Sequence, residues 1–223
     1  MCGGSAHSQG RDGWELRGPN GQPTCQRRSG APPALSRGYP SYYKHRVSDA
    51  ILVLNAGSSS LKFEVFAVDR DTLARQVAGG IEELSDAPRF SARDVHGAVV
   101  GERGWPAGRA LGHAGALAFL LEWLASRGGG SRIVAAGHRV VHGGAEFTAP
   151  VRVTPDVVAR LEALVPLAPL HQPANIQAIT ALAAQQPELL QVACFDTAFH
   201  HGQPAVAQAF ALPRSISDGG VRR

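Results

Sequence analysis

The stretch from Ile51 to Lys62 constrains this chain most, because four apolar residues there run into a turn of small polar residues. It reads Ile-Leu-Val-Leu-Asn-Ala-Gly-Ser-Ser-Ser-Leu-Lys, and a second apolar run follows over residues 61–68. This pattern predicts a buried strand, a tight turn and a second strand. Gly57 lets the backbone approach a ligand closely, and the serines add donors, so the turn suits an anion. The sequence therefore predicts a hairpin that binds phosphate.

The overall composition is that of a globular protein. A length of 223 residues allows one large domain or two small ones, and 44% hydrophobic residues suffice for a sizeable core. Apolar runs stay shorter than the roughly 18–20 residues that span a bilayer, and we expect no membrane partner. The three cysteines show no disulfide framework and no zinc spacing, which fits a reducing cytoplasm.

The positive charge is confined to the N-terminal part of the chain. The net charge is +4, and residues 1–49 hold seven Lys or Arg against three Asp or Glu. Residues 50–223 hold fifteen of each, so the sequence does not predict a basic face on this part of the chain. We therefore expect no nucleic-acid partner.

Residues 1–49 differ in composition from the rest, with thirteen Gly and Pro residues and almost no aliphatic run. Such a segment cannot bury enough apolar surface to order itself. We favour a disordered or non-native N-terminal extension. A basic tail that binds an acidic partner remains the alternative.

From residue 50 onward the pattern alternates between strands and helices and predicts an α/β fold. Thr154 and Pro155 are typical of an N-cap and a first helical residue. The leucines at helical spacing before Gly128 indicate another helix, and a third is expected from Pro173 to near Gln186. Strands are predicted at 51–55, 61–68, 133–136 and 189–195, with weaker ones near 76–82 and 88–100.

Polar clusters follow three of the predicted strands, at residues 55–60, 138–144 and 196–201. In open α/β sheets the ends of the strands line the ligand crevice. The three clusters therefore suggest one composite site. The five histidines at or near these clusters lack the spacing of a zinc site, so a metal cluster of histidines is not favoured.

Each candidate residue of the first cluster also has a plain structural alternative. Asn55 could orient a phosphate or a metal-bound water, or only form the turn. Ser58 and Ser60 could contact phosphate or shape the turn. Lys62 could neutralise phosphate charge or be an ordinary exposed strand lysine.

The later clusters leave similar alternatives open. Arg139 lies among apolar residues, so its guanidinium needs an anionic partner, which is either a ligand or an acidic side chain of the protein. Asp196 could hold Mg²⁺ through water, accept a proton or cap the next turn. His171 is expected to fix a loop near a ligand.

Four motifs together resemble acetate kinase, and they occur in that family's order: LNAGSSSLK from Leu54, GHRVVHGG from Gly137, LAPLH from Leu167 and FDTAFH from Phe195. The resemblance covers about residues 50–223. It implies ribonuclease-H-like domains of the actin-like ATPase superfamily, each a mixed sheet with flanking helices. Residues 50–196 would form the first domain and residues 197–223 the start of a second, largely missing one. A cytoplasmic homodimer is also implied.

The resemblance implies transfer of the γ-phosphoryl group of ATP to acetate, which gives acetyl phosphate and ADP with Mg²⁺, reversibly. It implies catalytic roles for Arg139 and Asp196, with Arg139 also binding substrate. The other implied roles are a metal site at Asn55, phosphate contacts by Ser58, Ser60 and Lys62, apolar pocket walls from Val141 and Leu170, and support by His171.

The chain departs from the family pattern at its end, because the family continues beyond the Val-Arg-Arg that closes this sequence. We expect little kinase activity from residues 1–223 alone. A propionate or butyrate kinase is the alternative among enzymes. A non-catalytic fragment that binds phosphate is the alternative outside them.

Overall fold

The described part of the chain, residues 48–127 and 131–221 of a computed structural model, contains an eight-stranded mixed sheet with helices against it. The expected α/β fold with a mixed sheet and flanking helices is confirmed. The disordered extension was predicted over residues 1–49; residues 1–47 lie outside the described residues, and Ser48 and Asp49 belong to the first strand. The strands are β1 Ser48–Ala56, β2 Ser60–Asp69, β3 Thr72–Glu82, β4 Arg89–Asp94, β5 Val99–Gly104, β6 Ser131–Val140, β7 Val151–Arg152 and β8 Leu190–Phe195.

The sheet order is β5-β4-β3-β2-β1-β6-β8-β7. The first five strands form an antiparallel meander, whereas β6 runs parallel to both β1 and β8. The edge strand β7 is antiparallel to β8. Because β1, β6 and β8 point the same way, their carboxyl ends lie together at one end of the strands.

Three longer helices supply most of the helical packing, and three short ones follow β8. Thr154 caps one of them as predicted, since its Oγ1 accepts a hydrogen bond of 3.2 Å from the Val157 backbone N–H. The helix predicted to start at Pro173 begins one residue earlier. The helices are α1 Gly112–Ser126, α2 Pro155–Ala163, α3 Gln172–Gln185, α4 Ala198–His201, α5 Ala205–Gln208 and α6 Arg214–Asp218.

The helices cover one face of the sheet. Leu52 and Leu54 of β1 are buried on that face, while Val53 between them is 37% exposed on the other. This alternation is the period of two that a strand imposes on a sheet with one covered face. The core divides into two clusters, one around α1 and the meander and one around α2 and β8.

The sequence prediction was wrong for residues 88–100, where it placed one strand. The structure has β4 and β5 joined by a tight turn in which Gly97 takes a φ of 82°. The Asp94 carboxylate accepts hydrogen bonds from the backbone N–H groups of His96 and Ala98, which stabilises the turn.

The strand predicted at 133–136 is longer than expected and runs to Val140. Residues 138–140 therefore belong to the sheet rather than to a loop after it, because pairing with β8 continues to the Val140–Phe195 position. His138 and Arg139 consequently point to opposite faces of the sheet. The structure buries His138 and leaves Arg139 exposed.

Residues 198–221 contain the three short helices and many exposed apolar side chains. Phe199 is 78% exposed and Val206 is 84% exposed. The start of a second domain at residue 197 stays a prediction. None of the helices in the described residues is long and apolar enough to cross a membrane.

Candidate functional site

The candidate site lies at the carboxyl edge of the parallel strands. Asn55 is near the end of β1, Arg139 is near the end of β6, and Asp196 directly follows β8. All three side chains project from the face that the helices leave uncovered, because their strand neighbours Leu54, Val140 and Phe195 are buried on the helical face.

Arg139 joins the other two side chains through hydrogen bonds. Its Nη1 donates to Asn55 Oδ1 at 3.1 Å. Its Nε lies 3.0 and 3.1 Å from the two carboxylate oxygens of Asp196, and its Nη2 donates to Oδ2 at 2.5 Å. The structure therefore brings together one residue from each of the three predicted polar clusters.

The ion pair between Arg139 and Asp196 is accessible to solvent, with the two side chains 48% and 41% exposed. The hydrogen bond to Asp196 raises the pKa of Arg139 above its ordinary value, while desolvation opposes the rise. At such exposure an ion pair stabilises a fold by only about 0.2–1 kcal/mol. Little stability would therefore be lost if a ligand took over some of these hydrogen bonds.

The predicted phosphate turn forms next to this cluster, between β1 and β2. The Gly57 N–H donates to the carbonyl oxygen of Ser60 at 2.8 Å and closes the turn. Ser58 is exposed at its tip. Lys62 pairs with Asn55 across the two strands, so both side chains lie on the same face of the sheet.

The residues predicted to form the apolar pocket are not fully buried. Val141 is half-buried just after β6, whereas Leu170 is 77% exposed. His171 is exposed, and its carbonyl oxygen accepts the first hydrogen bonds of α3 from Ala174 and Asn175. The roles of Val141, Leu170 and His171 in binding therefore stay predictions.

Asn175 is a site-forming residue that the sequence reasoning missed. Its side chain is buried, its Nδ2 donates to the Ala56 carbonyl oxygen at 2.7 Å, and its Oδ1 accepts from the Val141 N–H at 3.0 Å. One amide thus joins the ends of β1 and β6, from which Asn55 and Arg139 project. The available signal was an asparagine directly before Ile176 on the apolar side of a predicted helix.

His138 does not belong to the site, although it neighbours Arg139 in the chain. Its ring is buried on the helical face, and Nε2 donates to Gln191 Oε1 at 2.8 Å. Burial lowers the pKa of His138 to about 4, and the hydrogen bond opposes this shift. Within residues 48–127 and 131–221, no group of three His, Cys, Asp or Glu side chains could hold a metal ion.

The oxygen atoms around Arg139 are of the type that Mg²⁺ prefers. Magnesium is usually held by one or two carboxylates together with water and phosphate oxygens. Asp196 supplies a carboxylate and Asn55 an amide oxygen, and both lie within 3.1 Å of one guanidinium. Both oxygens accept hydrogen bonds from the Arg139 guanidinium in this structure, so a magnesium role for Asn55 and Asp196 stays a prediction.

The fold and site define an α/β protein in which Arg139, Asp196 and Asn55 meet at the carboxyl ends of the parallel strands, beside a turn of small polar residues. Residues 50–223 match the acetokinase family. The chain belongs to the acetokinase family.

Its relatives include the acetate kinase of Rhodopseudomonas palustris strain TIE-1, which is 49% identical over 179 residues, or 79% of this chain and 44% of the relative. The acetate kinase of Nitrobacter hamburgensis is 44% identical over 78% of this chain and 43% of its own length. The chain therefore spans less than half the length of these relatives.

Solved structures of two kinases are similar to this fold. The crystal structure of Porphyromonas gingivalis acetate kinase matches with a TM-score of 0.68 and 34% identity, over 79% of this chain and 44% of that one. That of a propionate kinase from Francisella tularensis matches with a TM-score of 0.65 and 31% identity, over 78% and 44%.

Proposed function

We propose that this chain carries the carboxylate-binding and phosphate-binding part of an acetate kinase site. In the proposed reaction a carboxylate oxygen of acetate attacks the γ-phosphorus of ATP. The bond from that phosphorus to the bridging β,γ-oxygen breaks, and ADP leaves with the electron pair. The products are acetyl phosphate and ADP, and the reverse reaction makes ATP.

The observation that carries the proposal is the cluster in which Arg139 bonds both Asp196 and Asn55 beside the phosphate turn. A guanidinium binds carboxylates and phosphates through two parallel hydrogen bonds, so Arg139 can hold the acetate or the transferring group. Positioning and neutralisation of charge supply most of the catalysis in phosphoryl transfer. Arg139 is suited to both.

The turn would bind the phosphate chain of the nucleotide. Ser58 and Ser60 would donate hydrogen bonds to it, and Lys62 would offset its negative charge. Asp196 and Asn55 would hold Mg²⁺, largely through water. When bound, that ion would neutralise phosphate charge.

The apolar wall would select the acid. Val141 and Leu170 would contact the methyl group of acetate, and His171 would support the loop beside them. We propose acetate rather than propionate or butyrate, since the curated relatives reported above are acetate kinases. The matching propionate kinase structure makes propionate the first acid to compare.

We also propose a homodimer in the cytoplasm and a non-catalytic chain on its own. The chain matches only 44% of the acetate kinase of Rhodopseudomonas palustris, so more than half of that relative has no counterpart in the match. A nucleotide-binding partner surface would therefore have to come from residues that this chain does not match.

The test is to trap acetyl phosphate with hydroxylamine in the presence of ATP, Mg²⁺ and acetate. Residues 1–223 should give far less product than the full-length acetate kinase of Rhodopseudomonas palustris. Isothermal titration should nevertheless show that acetate and phosphate bind to the chain and that Arg139→Ala abolishes this binding. Failure of both anions to bind would refute the proposed site, and turnover equal to that of the relative would refute the proposed lack of activity.

A further inference from the structure

Three hydrogen-bond donors from other parts of the chain hold the backbone of the phosphate turn. The Ala56 carbonyl accepts from Asn175, as described above. The Gly57 carbonyl accepts from Nε2 of His113 at 2.7 Å. The Ser59 carbonyl accepts from the Leu84 N–H at 3.1 Å. Each of these carbonyl groups therefore points away from the exposed side of the turn.

We infer that His113 is a positioning residue that orients the peptide bond between Gly57 and Ser58 so that the Ser58 N–H faces the phosphate. The inference rests on the proposed function of the turn. In a trans peptide the C=O and N–H groups point in opposite directions. A Gly57 carbonyl that is bonded to His113 therefore directs the Ser58 N–H to the opposite, solvent side.

This peptide bond needs an external restraint because of its sequence. Glycine reaches conformations on both sides of the φ map, so a peptide that follows Gly57 can rotate at little cost. Ser58 itself is exposed and offers no packing that would hold the peptide. A rotated peptide would present the Gly57 carbonyl oxygen to the phosphate. The partial negative charge of that oxygen would then repel the negatively charged phosphate.

His113 is itself held in place by contacts that lead back to the turn. Its Nδ1 lies 3.1 Å from Gln177 Oε1, and the ring is buried. Leu84, which donates to Ser59, accepts hydrogen bonds from the N–H groups of Leu111 and Gly112 at the start of α1. The start of α1 and the phosphate turn are therefore attached to the same residue.

The protonation of the ring is also constrained. A carbonyl oxygen can only accept, so Nε2 of His113 must carry a hydrogen atom. Nε2 therefore donates the hydrogen bond to Gly57, while Nδ1 faces the side-chain amide of Gln177.

Two substitutions of His113 separate this donor from the rest of the ring. The amide nitrogen of glutamine reaches about as far as Nε2, whereas that of asparagine reaches only about as far as Nδ1. His113→Gln should therefore keep the hydrogen bond to Gly57, and His113→Asn should lose it. The exposed Gln177 allows a third variant, Gln177→Ala, which removes only the support of the ring.

The experiment is to titrate the 223-residue chain with inorganic phosphate and follow the Ser58 amide by NMR. His113→Asn should weaken phosphate binding about three- to tenfold, the effect of one lost hydrogen bond. His113→Gln should bind within about twofold of the original chain, and Gln177→Ala should fall between them. Melting temperatures of the variants check that the fold persists.

The ligand-free spectra make a second, separate test. The ¹³C shift of the Gly57 carbonyl and the ¹⁵N shift of Ser58 should change in His113→Asn. In His113→Gln both shifts should keep the values of the original chain. Equal binding by all variants, or a loss in the glutamine variant as large as in the asparagine variant, would overturn the inference. If the unchanged chain shows no phosphate-dependent shift at Ser58, the proposed function fails, while the ligand-free shifts still decide the role of His113.

Discussion

The guanidinium of Arg139 and the carboxylate of Asp196 are joined by hydrogen bonds of 2.5–3.1 Å across the ends of β6 and β8. Both side chains remain more than 40% exposed. An accessible pair at these strand ends contributes little to folding, and an anion that bound the guanidinium would compete with Asp196 for its donors. The proposed role in binding and the small role in stability can be tested separately.

Replacement of Arg139 by lysine should separate these two roles. Lysine keeps the charge but cannot make two parallel hydrogen bonds, so acetate and phosphate affinity should fall about tenfold or more. The melting temperature should change little. Isothermal titration and thermal unfolding provide the two measurements.

The chain offers a matched control for Arg139→Lys at the opposite end of the same strand. Arg132 of β6 bonds Asp49 of β1 at 2.8 and 3.1 Å and is also exposed. Arg132→Lys should leave both anion affinity and stability unchanged. An equal loss of affinity in the two variants would show that arginine side chains outside the site affect anion binding as much as Arg139 does.

Asn175→Ala should lower the free energy of unfolding by about 2–4 kcal/mol, because it leaves the Ala56 carbonyl and the Val141 N–H without their partner. Urea denaturation measures the change. Thr180→Ala on the exposed side of α3 is the control and should stay within about 0.5 kcal/mol of the unchanged chain. A loss below about 1 kcal/mol in the Asn175 variant would contradict the structural role assigned to this amide.

His138 should make stability depend on pH in mildly acidic solution. Its pKa in the folded chain is lowered to about 4, whereas the unfolded value is near 6.5. Between these values the unfolded chain binds the extra proton, so stability falls as pH falls and is fully present above the unfolded pKa. The contribution lost between pH 7 and pH 5 should be about 2 kcal/mol.

Urea denaturation of the chain and of His138→Gln at the two pH values would measure this term. The variant lacks the titrating ring, so its stability should fall less between pH 7 and pH 5. Contributions from the rest of the chain are common to both proteins and cancel in the comparison. A drop of the same size in the variant would show that His138 does not carry the pH dependence.

Two adjacent glycines of β3 should respond very differently to alanine. A Cβ on Gly79 would clash with the Ser91 carbonyl oxygen and would lie 2.9 Å from the Ala92 Cα, so the backbone would have to shift. A Cβ on Gly80 would meet no atom closer than 3.4 Å. Gly79→Ala should destabilise the chain by about 2 kcal/mol or more.

Gly80→Ala is the control and should change the free energy of unfolding by less than about 1 kcal/mol. Thermal or urea unfolding of the two variants gives the difference directly. Equal stability of both variants would mean that β3 and β4 lie further apart than described.

Much of the site could be predicted because local patterns fixed it. The small-residue turn after the apolar run of β1 gave the hairpin, and Asn55, Arg139 and Asp196 each lie at or near the end of an apolar strand. The carboxyl ends of parallel strands meet at one edge, so their proximity follows from the pattern. The sequence left open whether Arg139 pairs with a ligand or with the protein, and in the structure it pairs with Asp196.

Other features could not be predicted, because they depend on how distant segments meet. The turn that divides β4 from β5 depends on Gly97 and on two hydrogen bonds to Asp94, which the apolar pattern of residues 88–100 does not show. The extension of β6 to Val140 depends on pairing with β8.

The sequence by itself determined the α/β class, the turn of small polar residues after β1 and the residues that gather at the strand ends, since these follow from residue type and local periodicity. Only the tertiary structure decided how the turn is held. His113 and Asn175 are distant from Gly57 in the chain, and no local pattern pairs them with it. Their role arises because α1 and α3 pack on the covered face of the sheet and bring two buried donors to the carbonyl groups of the turn.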